Sequence, residues 1–303
     1  MLQTRHLKHA VLHQIAEFSG PTHDAAWMLP DMAPQAYSEA ADWLAPRYWL
    51  PQTNRLIFTM QTFVIKTDAE IILIDTGVGN HKERLAPSQS HLNTPFLDWL
   101  SGIGCPPERV THVALTHLHG DHVGWNTQVV DGRLEPTFPN ATYYVPLDDW
   151  RIFSERRAMD DLAHHTIPFD DSVRPVVEAG LAKFISPGAS IADILTALPA
   201  PGHSPGQLAY QLRDGNERLL FAADVLHSPL QVLHPEVNSR WCEIPDLARR
   251  SRFDLLSRAA QENFTWLSAH AFGLDGWQIH RSHEGFTVET SPPRQRLPDA
   301  IAV

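Results

Sequence analysis

Thr116-His117-Leu118-His119-Gly120-Asp121-His122-Val123-Gly124-Trp125 packs three histidines and one aspartate into six residues, directly after an apolar run at 110–115 that reads as a buried strand. Imidazole and carboxylate together suit zinc, iron or manganese. Histidines at i and i+2 just beyond a strand converge on one ion if the turn is tight, and Gly120 and Gly124 supply the backbone freedom for such a turn. Asp121 and His122 then point elsewhere, toward a second ion. A solvated histidine-rich loop is the plainer alternative, and three further ligand-type residues at strand ends argue against it.

Outward from this stretch, strands and helices alternate. Residues 7–18 read as a first strand, and 56–65 and 71–74 as two more joined by Thr67-Asp68-Ala69-Glu70, the second ending in Asp75-Thr76-Gly77-Val78-Gly79. Residues 95–103 read as a short helix with Thr94 as N-cap and Pro95 at its first position. A strand at 141–145 precedes a helix at 148–157 capped by Asp148. Strands at 194–198 and 208–212 flank Pro201-Gly202-His203-Ser204-Pro205-Gly206, a strand at 218–222 leads to Asp224, and one at 265–268 leads to His270. Pro245-Asp246 opens a helix with Leu247, Phe253, Leu256, Ala260 and Phe264 at roughly helical spacing. Strand ends therefore repeatedly deliver His or Asp, which is where layered α/β proteins collect their ligands.

Residues 19–54 differ, with prolines at 21, 30, 34, 46 and 51 among Trp27, Tyr37, Trp43, Tyr48 and Trp49. This Pro/Trp-rich insertion suggests an irregular lid, a binding loop or a dimer contact, or a plain cover for one edge of the core.

With these residues in place the chain resembles the metallo-β-lactamase superfamily, whose signature is H-x-H-x-D-H followed by an isolated His, an Asp and a final His. The matching residues are His117, His119, Asp121 and His122, then His203, Asp224 and His270, and Asp75-Thr76-Gly77 matches as well. The resemblance covers about residues 56–272 and implies an αββα sandwich, an α/β layered fold, as one domain over residues 1–303. It implies that His117, His119 and His203 hold one metal, that Asp121, His122 and His270 hold the other, and that Asp224 bridges them. The two divalent ions are zinc by preference, with iron, manganese or cobalt also compatible. Asp75 is implied to fix the metal loop by hydrogen bonding, with turn capping as its plainer role.

The same resemblance implies hydrolysis by a metal-bridging hydroxide, because coordination lowers the pKa of water toward about 7. The set lacks the cysteine ligand of some zinc β-lactamases and looks like that of N-acyl homoserine lactone lactonases and related organophosphate hydrolases. A lactone or ester is the expected substrate. An organophosphate triester or a promiscuous β-lactam and ester hydrolase is the alternative, and a non-catalytic metal-binding module the remote one. Trp27, Met28, Leu29, Trp49 and Trp125 are expected to wall an apolar pocket. His227 stands where some lactonases carry a tyrosine. It could donate to the developing oxyanion or protonate the leaving alkoxide, a task otherwise assigned to Asp121 acting with water. His227 packed outside the pocket is the plainer alternative. The other histidines, His23 among them, have no ligand spacing and are expected at the surface.

Composition bounds the rest. The chain has 303 residues and a formal charge of −11, which argues against nucleic acid as a partner. No apolar run approaches the roughly 18 to 20 residues that span a bilayer, so no membrane partner is expected. Cys105 and Cys242 are too few for a disulfide framework, and a cytoplasmic location follows as the expectation. Nothing after His270 has room for a flavodoxin domain or resembles a basic glutathione-binding tail, which sets aside the flavodiiron and glyoxalase II branches. A homodimer built on the insertion stays open.

Overall fold

The computed structural model describes residues 1–158 and 163–290. The amino-terminal part of the chain builds one sheet, with strands Leu2–His6, Val11–Asp24, Arg55–Lys66, Ile71–Ile74, His112–Ala114, Thr142–Pro146 and Ala182–Ile185 hydrogen-bonded in that order and Trp49–Leu50 added alongside Arg55–Lys66. Pairing is antiparallel as far as Ile71–Ile74 and parallel beyond it. The rest builds the second sheet from Ser190–Ile191, Leu195–Pro199, Leu208–Asp214, Glu217–Phe221, Thr265–Leu267, Trp277–Ser282 and Gly285–Thr290. Its single parallel pair, Glu217–Phe221 with Thr265–Leu267, needs a long return connection, and the helix Pro245–Glu262 lies within it.

Period-two alternation decides which face each apolar residue takes. Phe63, Ile65, Ile72 and Ile74 meet Leu208, Tyr210, Leu212 and Phe221 between the sheets. Their neighbours Val64, Ile71 and Leu73 turn outward onto Phe96 and Leu100 of the helix Phe96–Gly102 and Phe153 of the helix Leu147–Ala158. Leu220 and Trp266 turn outward from the second sheet onto Leu255, Leu256 and Ala259 of Pro245–Glu262. The result is the expected αββα sandwich.

Five local expectations are corrected. The first strand is not 7–18: Leu2–His6 is followed by Val11–Asp24. The segment 19–54 is not irregular, because that strand runs on to Asp24 and the helices Ala25–Met28, Pro34–Glu39 and Ala41–Leu44 follow. Pro21 is tolerated because this end of the strand pairs on one side only, with Arg55–Lys66. Thr94 does not cap the helix at 96, and Asp148 lies inside the first turn of a helix that begins at Leu147. The helix at 245 buries Ala248, Ser251, Arg252, Leu255, Leu256 and Ala259, leaving Phe253 exposed. Among the described residues no helix is long and apolar enough to cross a membrane.

Candidate metal centre

Five ligand-type residues lie just past the carboxyl end of a strand, and His119, Asp121 and His122 follow His117 at the start of and within the short helix Gly120–Val123. Asp75 follows Ile71–Ile74, His117 follows His112–Ala114, His203 follows Leu195–Pro199, Asp224 follows Glu217–Phe221 and His270 follows Thr265–Leu267. These ends meet on one side of the sandwich. The donor atoms of His117, His119 and His203 lie within 4.8 Å of one another, as do those of His117, His122 and Asp224, and those of Asp121, His122 and His270.

Hydrogen bonds behind the rings fix their tautomers. Asp75 Oδ1 accepts from Thr116 N (2.7 Å), and its Oδ2 accepts from Thr116 Oγ1 (2.8 Å) and from His122 Nδ1 (2.8 Å). Since Thr116 gives its hydroxyl proton to Asp75, its oxygen takes the Nδ1–H of His117 at 3.0 Å. His270 Nδ1 donates to the Thr59 carbonyl at 2.9 Å. His117, His122 and His270 therefore each spend Nδ1–H on a partner behind the ring and turn Nε2 toward the cluster. His119 is reversed: its Nδ1 lies 3.1 Å from His117 Nε2 and 2.9 Å from His203 Nε2, while its Nε2 faces Glu243 Oε1 at 3.4 Å.

Asp224 is buried at the centre. Its Oδ2 lies 2.9 Å from His270 Nε2, 3.2 Å from His203 Nε2 and 3.3 Å from His227 Nε2, and its Oδ1 lies 3.3 Å from His122 Nε2. Burial opposes its ionisation, but the His270, His122 and His203 rings hold its carboxyl well below the usual range. Burial pushes His117 and His203 well below theirs. His122 goes the other way: burial opposes its charging, but Asp224, Asp75 and Asp121 raise it well above the usual imidazole value. His122 Nε2 and Asp224 Oδ1 are buried without a hydrogen-bond partner. Converging imidazole nitrogens and carboxylates, two of whose buried atoms have no hydrogen-bond partner, are a donor set suited to divalent cations.

The loops that carry these residues are clamped together. Thr76 N donates to the His122 carbonyl (2.7 Å), Gly124 N to Gly77 O (2.8 Å) and Trp125 N to Thr76 O (2.9 Å). Gly124 is needed for this approach, since a methyl group there would lie 1.7 Å from Val78 O. Two buried carboxylates not anticipated from sequence tighten the arrangement. Glu17 accepts from Val78 N (2.6 Å) and Trp125 Nε1 (2.6 Å), and burial raises its carboxyl to about 7. Asp149 accepts from Leu118 N (3.2 Å), Ser204 Oγ (2.8 Å) and Gly206 N (2.5 Å), tying the His117 loop to the His203 loop, and burial raises it to about 6.

A pocket of about 420 Å³ opens over the cluster, reaching His119, Asp121, His203 and Asp224 at its floor. Its apolar wall is Trp27, Leu85, Ile167, Pro168 and Trp241. Of the five expected wall residues only Trp27 is there. Met28 and Leu29 are fully buried and Trp49 nearly so, in the core against the second sheet, with the Trp49 indole N–H on Asn54 Oδ1. Trp125 stacks on Phe96 in the opposite core and donates to Glu17. His227 has a fully buried side chain outside the pocket wall, between Phe58 and Trp241, and meets Asp224 instead of substrate space. His23, expected at the surface, lines the pocket.

Comparison with known proteins bears on the family and the fold. The profile described as the metallo-beta-lactamase superfamily matches residues 61–282, well over half of the chain. AidC, a dizinc quorum-quenching lactonase solved with a product bound, is 20% identical with a TM-score of 0.77, covering 96% of this chain and 97% of that one. The hydrolase AbOPH of the beta-lactamase superfamily is 22% identical with a TM-score of 0.76, covering 95% and 96%. The N-acyl homoserine lactonase AiiB of Agrobacterium fabrum (strain C58) is 30% identical over 114 residues, 32% of this chain and 41% of that protein. The chain spans about half the length of the curated relatives it matches.

Proposed function

The chain belongs to the metallo-beta-lactamase superfamily, and on that premise we propose that it hydrolyses a small lactone or ester, an N-acyl homoserine lactone being the substrate class that suits its pocket. His117, His119 and His203 would hold one divalent cation, Asp121, His122 and His270 a second, and Asp224 both, with zinc the preferred metal. When bound, such a pair supplies a water acidic enough to ionise near neutral pH and an electrophilic pull on the carbonyl. The observation that carries the proposal is the coincidence of the three donor groups with the floor of a mostly apolar pocket.

The chain's own residues do the remaining work. Asp75, Thr59 and Glu243 keep three rings oriented from behind. Trp27, Leu85, Ile167, Pro168 and Trp241 pack on an acyl chain and exclude water. Asp121, half-buried in the pocket lining, would pass a proton through water to the leaving alkoxide. His227, whose Nε2 lies 3.3 Å from Asp224 Oδ2, would back that carboxylate from the buried side.

The test is a substrate panel of short- and long-chain N-acyl homoserine lactones, a simple ester, a phosphotriester and a β-lactam, run before and after chelation. Lactone or ester turnover that disappears on chelation and returns with zinc is the expected result. Turnover confined to the phosphotriester or the β-lactam would replace the proposed substrate, and activity indifferent to chelation would overturn the metal centre.

A further inference from the structure

We propose that His23 touches the substrate, as a neutral imidazole whose Nε2–H hydrogen-bonds an oxygen of the bound molecule, so that the pocket selects an acyl compound carrying an acceptor oxygen beside its apolar chain. This rests on the hydrolase reading above.

The backbone is adjusted to aim this ring. Strand Val11–Asp24 pairs with Arg55–Lys66 in regular register except at two places, and the second skips Thr22, between Pro21 opposite Ile57 and His23 opposite Leu56. An extra residue of this kind turns the following side chain, and such bulges concentrate beside active sites. The skipped residue then braces the ring it has turned, with Thr22 Oγ1 2.6 Å from His23 Nδ1. Three aromatic rings hold the imidazole: Trp27 stacked at 5.7 Å, and Trp241 and Phe58 edge-on at 4.8 and 5.6 Å. Phe58 itself lies flat on His270 at 3.8 Å, so His23 sits one ring away from the cluster.

These neighbours leave one nitrogen for the pocket. The indoles and the phenyl ring accept no ordinary hydrogen bond in their planes, and Nε2 has no partner among the described residues. The ring is half-buried and shares the pocket lining with Asp121, His203 and Asp224. Burial and the nearby His270 lower its pKa to about 4, with Asp121 opposing and His227 and Arg55 adding to the fall, so it is uncharged at neutral pH. A neutral imidazole presents one N–H. The Thr22 hydroxyl can give its proton to Nδ1, and the tautomer so formed carries its N–H on Nε2, with ester, lactone and amide oxygens as natural partners. A neutral imidazole donor of this kind polarises a carbonyl without needing a proton to spare.

His23→Phe keeps the aromatic packing and removes the donor, while His23→Gln restores an N–H of similar reach. The expected result is that His23→Phe lowers kcat/KM by about 100-fold, the low end of the range for losing one donor aimed at a reacting oxygen, that His23→Gln recovers part of this loss, and that metal per chain and Tm stay at wild-type values in both. His23→Phe within twofold of wild type overturns the assignment while leaving the hydrolase reading standing. Loss of activity together with loss of metal or of Tm in both variants also overturns it, since the ring would then support the fold. Wild-type protein inert toward every ester and lactone overturns both.

Discussion

Asp75→Asn separates a residue that tunes the metal centre from one that only caps a turn. The carboxylate accepts three hydrogen bonds, at 2.7 Å from Thr116 N and at 2.8 Å from both Thr116 Oγ1 and His122 Nδ1. The amide can keep its oxygen on Thr116 N, which puts its NH₂ against the hydroxyl and the imidazole. The hydroxyl can rotate and accept. His122 can accept only by moving its proton from Nδ1 to Nε2, the nitrogen that faces Asp224 Oδ1 at 3.3 Å. Binding a cation then requires the unfavourable tautomer with two N–H groups opposed. The difference is one hydrogen bond to a charged group, about 1.5–3 kcal/mol, or about 10- to 100-fold in affinity at about 1.4 kcal/mol per tenfold. Chelator competition with zinc, followed site by site, is the assay. A loss of that size at the Asp121, His122 and His270 group, with the His117, His119 and His203 group less affected, is expected. Wild-type affinity at both, with only Tm lowered, would refute the tautomer argument and leave Asp75 as a turn cap.

The placement of the two tryptophans gives further outcomes. Trp27→Ala should raise KM for long acyl chains more than for short ones. Trp49→Ala should instead cost about 3–5 kcal/mol of stability, read by denaturant titration; an equal KM effect on both chain lengths for Trp27, or none on stability for Trp49, would contradict their placement. Glu17 gives a pH test. Its carboxyl is raised to about 7 in the fold, so the folded state binds the extra proton, and the stability this contributes is complete below about 4.5 and lost as pH rises through about 7. Between pH 5 and 8 the stability difference between wild type and Glu17→Gln should therefore shift in favour of Gln, and a constant difference would show that Glu17 titrates normally.

The clustered histidines and aspartates were legible because their signal is local. A strand end followed by His or Asp needs no knowledge of the partner strand, and both sheets deliver such ends to one side. The pocket wall was not legible, since an apolar residue in a sequence fits a core as well as a cavity. Met28, Leu29, Trp49 and Trp125 went to the core. Asp149, Glu17 and Glu243 were invisible for a different reason: their partners, such as Ser204, Val78 and His119, are 55, 61 and 124 residues away in the chain. The helix at 245 misled because Arg252 lies on its buried face, where its guanidinium is satisfied by the carbonyls of Val225 and Pro235 and by Asn238. Helical periodicity counts such a residue as exposed. His23 carried no spacing signal, because a one-residue bulge set its direction.

Metal analysis of the purified protein, paired with Asp224→Ala, tests the central claim most directly. Two equivalents of divalent metal per chain in the wild type, with metal and hydrolysis falling together in the variant, is the expected result. A wild-type chain that binds no divalent metal, or a variant that loses its metal and still hydrolyses substrate at the wild-type rate, would contradict it.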